Sequence, residues 1–247
     1  QEERLLPVRS HNLAAALEVC EHVFGQVAEQ FGEDLAPAIE RIWRDELARV
    51  RTDLRGWLRQ ESEAPGGWVP HRYEFTFGMK PQGPADPTSV LDEAVLRSGL
   101  RLRGAIDLVE KRDDGKVRIT DYKSGRVRVP EGAVLLGGES LQPILYSLAY
   151  QALTGDEVVA ARLYYCTERS GYTERQVEPN EEALEVVSEF QRRVDKAIEE
   201  GFFPASPRQG CAYCDYLPVC GPSAEVNAKR KETDPRLSSL NWLRNLR

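Results

Sequence analysis

No stretch of the chain approaches the roughly 18 consecutive apolar residues of a membrane-spanning helix. The N-terminus also lacks the charged, apolar and small-residue succession of a signal peptide. A soluble, cytoplasmic protein is therefore expected. Methionine is almost missing: Met79 is the only one and the chain begins at Gln1, so the sequence reads as a processed product or a fragment of something longer. There is no low-complexity tract and no internal repeat. Cysteine is sparse and odd in number, five in 247 residues, with three crowded near the C-terminus. That distribution is unlike a disulfide framework and closer to a metal site in a reducing compartment. A basic excess is missing too. The net charge of −7 argues against wholesale coating of nucleic acid, whose phosphates are bound mainly by Lys and Arg.

Present instead is a composition 41% hydrophobic, enough for one sizeable core. Between Arg101 and Arg128 the local charge reverses, with nine basic residues against five acidic ones. Along the chain, Leu13 to Phe31 is helix-like, although Gly25 and Gly32 blur its limits. From Leu35 to Leu58 the apolar residues Leu35, Ile39, Ile42, Trp43, Leu47, Val50, Leu54, Trp57 and Leu58 recur every three or four positions, which predicts an amphipathic helix. "EAPGGW" (Glu63 to Trp68) closes this helical region. Strands are predicted at His71–Gly78, Arg101–Glu110 and Lys116–Tyr122, and a helix at Leu141–Leu153 with Pro143 in its first turn. A strand pair follows around Ser170 and Gly171. A last long helix lies between Asn180 and Gly201, with an apolar stripe of Leu184, Val187, Val194 and Ile198.

The stretch "RITDYKSG", Arg118 to Gly125, puts a carboxylate and an ammonium two residues apart at a strand end. Because side chains alternate, Val117, Ile119, Asp121 and Lys123 share a face that begins apolar and ends charged. "DDG", Asp113 to Gly115, suits a three-residue hairpin loop with Gly left-handed. Arg112 then faces Lys116, and counting outward sets Asp107 opposite Asp121. Like charges so placed are destabilising unless neutralised. A divalent cation is the natural neutraliser. Two acids with a lysine beside them form a device for metal-assisted hydrolysis: the acids hold a hard cation, the cation acidifies a water, and the lysine steadies the hydroxide. The same residues would also suit a surface hairpin with a cross-strand Lys–Asp pair. Gly104, three residues before Asp107, favours the first reading because it marks a close backbone approach.

"GAIDLVE…ITDYKSG" followed by "LQPILYSLAY" resembles the PD-(D/E)XK nuclease superfamily, specifically its RecB/AddB-type exonuclease branch. The motifs G-x-h-D (h, apolar), D-Y-K-S/T-G and Q-x-x-x-Y occur in order, and the resemblance runs from about Glu74 to the end. It implies an α/β fold with a mixed central sheet flanked by helices, a restriction-endonuclease-like core behind a helical N-terminal region. By that resemblance Asp107, Asp121 and the backbone carbonyl of Tyr122 bind Mg²⁺ or Mn²⁺, and Lys123 positions or activates the attacking water. Gln142 and Tyr146, four apart on one helical face, look into the site; their spacing alone also fits an ordinary amphipathic helix. Glu74 matches an acid on the preceding strand and is either a further metal-site residue or an exposed strand Glu. The branch usually carries an upstream helical histidine in a G-T-x-x-H context. His11, His22 and His71 have no such context, so that helix is expected before Gln1.

"CAYCDYLPVC" places Cys211, Cys214 and Cys220 in C-x2-C-x5-C spacing. Thiolates so close point to metal or iron–sulfur binding, one ligand short of four. The pattern resembles the [4Fe-4S] staple of the same branch, whose fourth cysteine lies far upstream. Cys20, mid-helix, and Cys166, read as a buried strand thiol, fit that position poorly. A ligand outside these residues is preferred.

These readings divide the chain into a helical region (1–66), a nuclease core (67–205) and a cysteine-rich staple and tail (206–247). The expected function is metal-dependent hydrolysis of DNA, as an exonuclease in a repair or recombination helicase-nuclease. A CRISPR-adaptation type nuclease is a second enzyme reading. A nuclease-like domain that binds DNA ends or a partner without cutting is the non-enzyme alternative, opposed by the intact Asp107, Asp121 and Lys123.

Overall fold

A computed structural model describes residues 5–129, 141–207, 211 and 213–246. The Asp113–Gly115 loop is the simplest part to derive. Gly115 adopts φ +84°, which costs a glycine nothing, and the Arg112 N–H donates to the Lys116 carbonyl at 3.0 Å. This turn joins β4 (Gly104–Lys111) to β5 (Val117–Lys123). The pairs run from Lys111↔Val117 out to Leu108↔Thr120, the register that a three-residue loop dictates. The expected strand Arg101–Glu110 is divided at Arg103: its first two residues form β3 (Arg101–Leu102), paired with β2 (Ala94–Val95) as a separate ribbon.

Around the hairpin stand β1 (Val69–Phe77), antiparallel to β4, then β6 (Val158–Tyr165), parallel to β5, and β7 (Glu174–Val177), antiparallel to β6. The order β1-β4-β5-β6-β7 is a mixed sheet, as the sequence led one to expect. Parallel neighbours need a crossover, and α3 (Gln142–Thr154) lies within the connection from β5 to β6. Its residues Ala149 and Tyr150 close a core with Phe75, Phe77, Ile106, Val109, Val117 and Ile119.

The helices α1 (Leu13–Leu35) and α2 (Glu40–Glu63) precede the sheet. The expected Leu35 start of the second helix is corrected. Leu35 ends α1, Ala36 turns left-handed at φ 41°, and Ile39 is the N-cap of α2. Of the predicted apolar stripe only Leu58 is fully buried, while Leu35, Ile39, Ile42 and Val50 are exposed. On α1 the residues Val19, Val23, Val27, Phe31 and Leu35 are likewise exposed, one every four residues. Leu58 joins Val8 and Ala16 in a small cluster of its own.

The chain separates into two compact units, and the second takes in the described residues from Asn180 onward. In this unit α4 (Glu181–Glu199) is capped by the Asn180 side chain, which accepts the Ala183 N–H at 2.9 Å. Its buried positions are Ala183 and Val187, whereas Leu184 and Ile198 of the expected stripe are exposed. Three short helices follow: α5 (Leu217–Cys220), α6 (Ala224–Arg230) and α7 (Ser238–Arg244). The Arg193 guanidinium lies 4.5 Å from the Trp242 ring centroid and ties α4 to α7. Among the described residues no helix is long and apolar enough to cross a membrane.

Candidate active site

The β4–β5 ladder stops at Leu108↔Thr120, and the site begins where it stops. One residue further along β4, the Asp107 carboxylate accepts the Tyr122 N–H through Oδ2 at 2.8 Å. A side chain thus takes the hydrogen bond that a strand carbonyl would otherwise receive. β1 is irregular at the same level. Glu74 has φ +50°, a conformation that side-chain-bearing residues seldom adopt. Its carbonyl accepts from the Asp86 N–H at 3.3 Å. Tyr73 pairs with Leu108 and Phe75 with Ile106, so Glu74 stands opposite Asp107 by register. Ile106 and Val109 share one core cluster although three residues apart, which shows that strict alternation fails between them.

Asp121 is 2% exposed. Its Oδ2 is buried, and the Lys123 ammonium lies against it as an ion pair. Burial raises the Asp121 carboxyl above its ordinary value, Lys123 opposes the rise, and the neighbouring Asp107 charge adds to it. Glu74 is raised by burial and then by the same Asp107 charge. Lys123 Nζ also donates to Gln142 Oε1 at 3.3 Å, so the start of α3 is linked to the end of β5.

Tyr146, one turn after Gln142, lies over Gly104. A Cβ on Gly104 would stand 2.9 Å from both Cε1 and the hydroxyl oxygen of Tyr146, which supplies the reason for a glycine three residues before Asp107. The ring also meets Phe77 edge-on at 6.0 Å between centroids.

The donor set fits a hard divalent cation. The buried Asp121 carboxylate, held against Lys123, stands at the end of β5 beside Asp107, which spends one oxygen on Tyr122 and keeps the other. Oxygen ligands of this kind suit Mg²⁺ or Mn²⁺. Among the described residues no group of three or more His, Cys, Asp or Glu is gathered for a metal. Glu74 therefore does not complete a triad with the two aspartates, and Cys211, Cys214 and Cys220 do not converge. Cys211 is half-buried, while Cys214 and Cys220 are exposed.

Other expected residues fall elsewhere. His11 and His22 are exposed. His71 sits at the opposite end of β1, its pKa lowered by burial and by the charges of Arg72 and Lys111. Cys166 follows β6 rather than lying within it, half-buried, and its N–H donates to the Lys123 carbonyl at 3.1 Å.

Sequence reasoning missed the far side of β5. There the Glu110 carboxylate accepts from Arg118 Nε at 2.8 Å and Nη2 at 2.7 Å, Thr120 Oγ1 at 2.7 Å and Arg162 Nη2 at 3.2 Å. Burial alone would raise Glu110, but these donors and the two guanidinium charges hold it below its usual range. The available signal was charge inside strands otherwise apolar, Arg162 in "AARLYY" above all.

A family model described as the PD-(D/E)XK nuclease superfamily matches residues 4–221, a span that takes in α1 and α2 as well as the sheet. No curated protein matches the chain.

Proposed function

The chain belongs to the PD-(D/E)XK nuclease superfamily, and from that premise we propose that it is a metal-dependent deoxyribonuclease, an exonuclease of the RecB/AddB type. The observation that supports this reading is the buried Asp121 carboxylate, ion-paired with Lys123, at the strand end where Asp107 accepts the Tyr122 N–H. Mg²⁺ or Mn²⁺ held by Asp107, Asp121 and the Tyr122 carbonyl would supply charge stabilisation for the scissile phosphate and its attacking water. The protein's own groups do the rest. Asp107, fixed by the Tyr122 N–H, presents its second oxygen. Lys123, 38% exposed at its side chain, orients the water and is itself steadied by Gln142. Tyr146 closes one wall over Gly104, where a phosphodiester backbone can run. Glu74, strained and facing Asp107, is assigned to water positioning.

The finer assignments continue the same proposal. The enzyme acts on DNA in the cytoplasm, in repair or recombination, with a helicase as partner. Residues 67–205 form its catalytic part behind the helical region 1–66. Cys211, Cys214 and Cys220, in the tail from 206 onward, contribute three ligands to a [4Fe-4S] cluster, an assignment resting on their sequence spacing alone.

The test is digestion of end-labelled DNA with and without Mg²⁺. Asp121→Ala and Lys123→Ala should each lower the rate at least about a hundredfold, as loss of transition-state charge stabilisation requires, with unchanged circular dichroism. Wild-type rates in either variant would refute the assignment.

A further inference from the structure

We infer that the buried charges behind β5 are a positioning device for Asp121, with Thr120 as its contact point; the inference rests on the metal-dependent reading of the front face. Thr120, Glu110 and Arg162 are almost wholly buried, and none of them reaches the Asp107–Asp121 side. Thr120 Oγ1 donates to Glu110 Oε2 at 2.7 Å and accepts from Arg162 Nε at 3.0 Å, so its rotamer and its proton are both fixed. Arg162 continues to Glu174 on β7 at 2.8 Å and to Glu61 on α2 at 3.5 Å. Four strands and a helix are thereby tied to one hydroxyl.

That hydroxyl belongs to Leu108↔Thr120, the last pair before β4 and β5 part. The next residue on β5 is Asp121, and the next toward the start of β4 is Asp107. Whatever holds Thr120 sets the width of the fork across which the two carboxylates face each other.

Stability gives no sufficient reason for this arrangement. Burying charges is costly even when they are paired, and well-packed apolar residues commonly serve as well or better. Outer groups that orient metal-binding side chains, by contrast, fix their direction and matter for affinity. Four donors on Glu110 and a doubly bonded Thr120 suit the second task.

The test measures Mn²⁺ binding by electron paramagnetic resonance on the full chain, without DNA. Thr120→Val keeps the shape and removes the hydroxyl. Its Mn²⁺ affinity should fall about 10–100-fold, the usual consequence of losing such support, and Thr120→Ser should restore it. Thermal melts run alongside separate positioning from stability. Wild-type Mn²⁺ affinity in Thr120→Val, whatever its melting temperature, overturns the inference and leaves the nuclease reading standing. Should Thr120→Val fail to fold, Glu110→Gln is judged by the same criterion. A wild-type chain that binds no Mn²⁺ overturns both.

Discussion

A methyl group at position 104 would press on Tyr146, with 2.9 Å to its ring edge and to its hydroxyl oxygen. Overpacking of this sort costs about 1–3 kcal/mol. Gly104→Ala should therefore lower stability by that amount and also lower cleavage, because Tyr146 has to leave its place. Combining it with Tyr146→Ala should return most of the stability and none of the activity. Chemical denaturation of the two single variants and the double variant checks this, and simple additivity would show that the clash is relieved elsewhere. The single residue was legible in the sequence as a close approach, but its partner was not. A glycine announces space, and only the fold says which side chain uses it.

At the scale of elements, the β4–β5 hairpin and its register were legible because a three-residue loop with left-handed Gly115 leaves one pairing. The α3 helix, with Gln142 four residues before Tyr146, was legible from periodicity. The start of α2 was not, since apolar spacing continues through Leu35 and Ile39 while the chain turns at Ala36. The burial of that stripe was not legible either: amphipathic spacing gives a face, and says nothing about whether anything covers it. The seam between α2 and the sheet was wholly hidden, since Glu61 and Arg162 lie a hundred residues apart and meet only in three dimensions. Burial raises Glu61 above its ordinary value near 4.5, against the pull of Arg162. In the window just above 4.5 the folded chain keeps a proton that the unfolded chain releases, so this group loses stability for the protein as pH rises through the folded value. Glu61→Gln cannot titrate. Its stability relative to wild type should therefore improve across that rise, as followed by melting temperature against pH. A relative decline would mean that the charged form is the one favoured by folding.

For the molecule as a whole, the acidic net charge hides an uneven distribution. On α2 the cations Arg41, Arg44, Arg49, Arg51 and Arg55 each have an acidic partner. Near the site Arg103, Arg126 and Arg128 are exposed and none has an acidic partner among the described residues. Unneutralised cations in the segments that flank Asp107 and Asp121 in the sequence suit a phosphate backbone. In an Asp121→Ala background, replacing each by Gln should weaken DNA binding and make the slope of log affinity against log salt shallower by about 0.7–0.9 per residue. Fluorescence anisotropy at several salt concentrations measures it, and an unchanged slope would place the DNA elsewhere. The topology bears on how such a site comes into being. The β4–β5 turn spans three residues and can close within about 1–10 μs, whereas the parallel pairing of β5 with β6 waits for a long crossover. Asp107 and Asp121 thus come together early, while α3 and Gln142 arrive late. Folding has to bring two like charges side by side before Gln142 supports the lysine, so their mutual repulsion opposes hairpin closure, and a divalent ion in solution should ease that assembly.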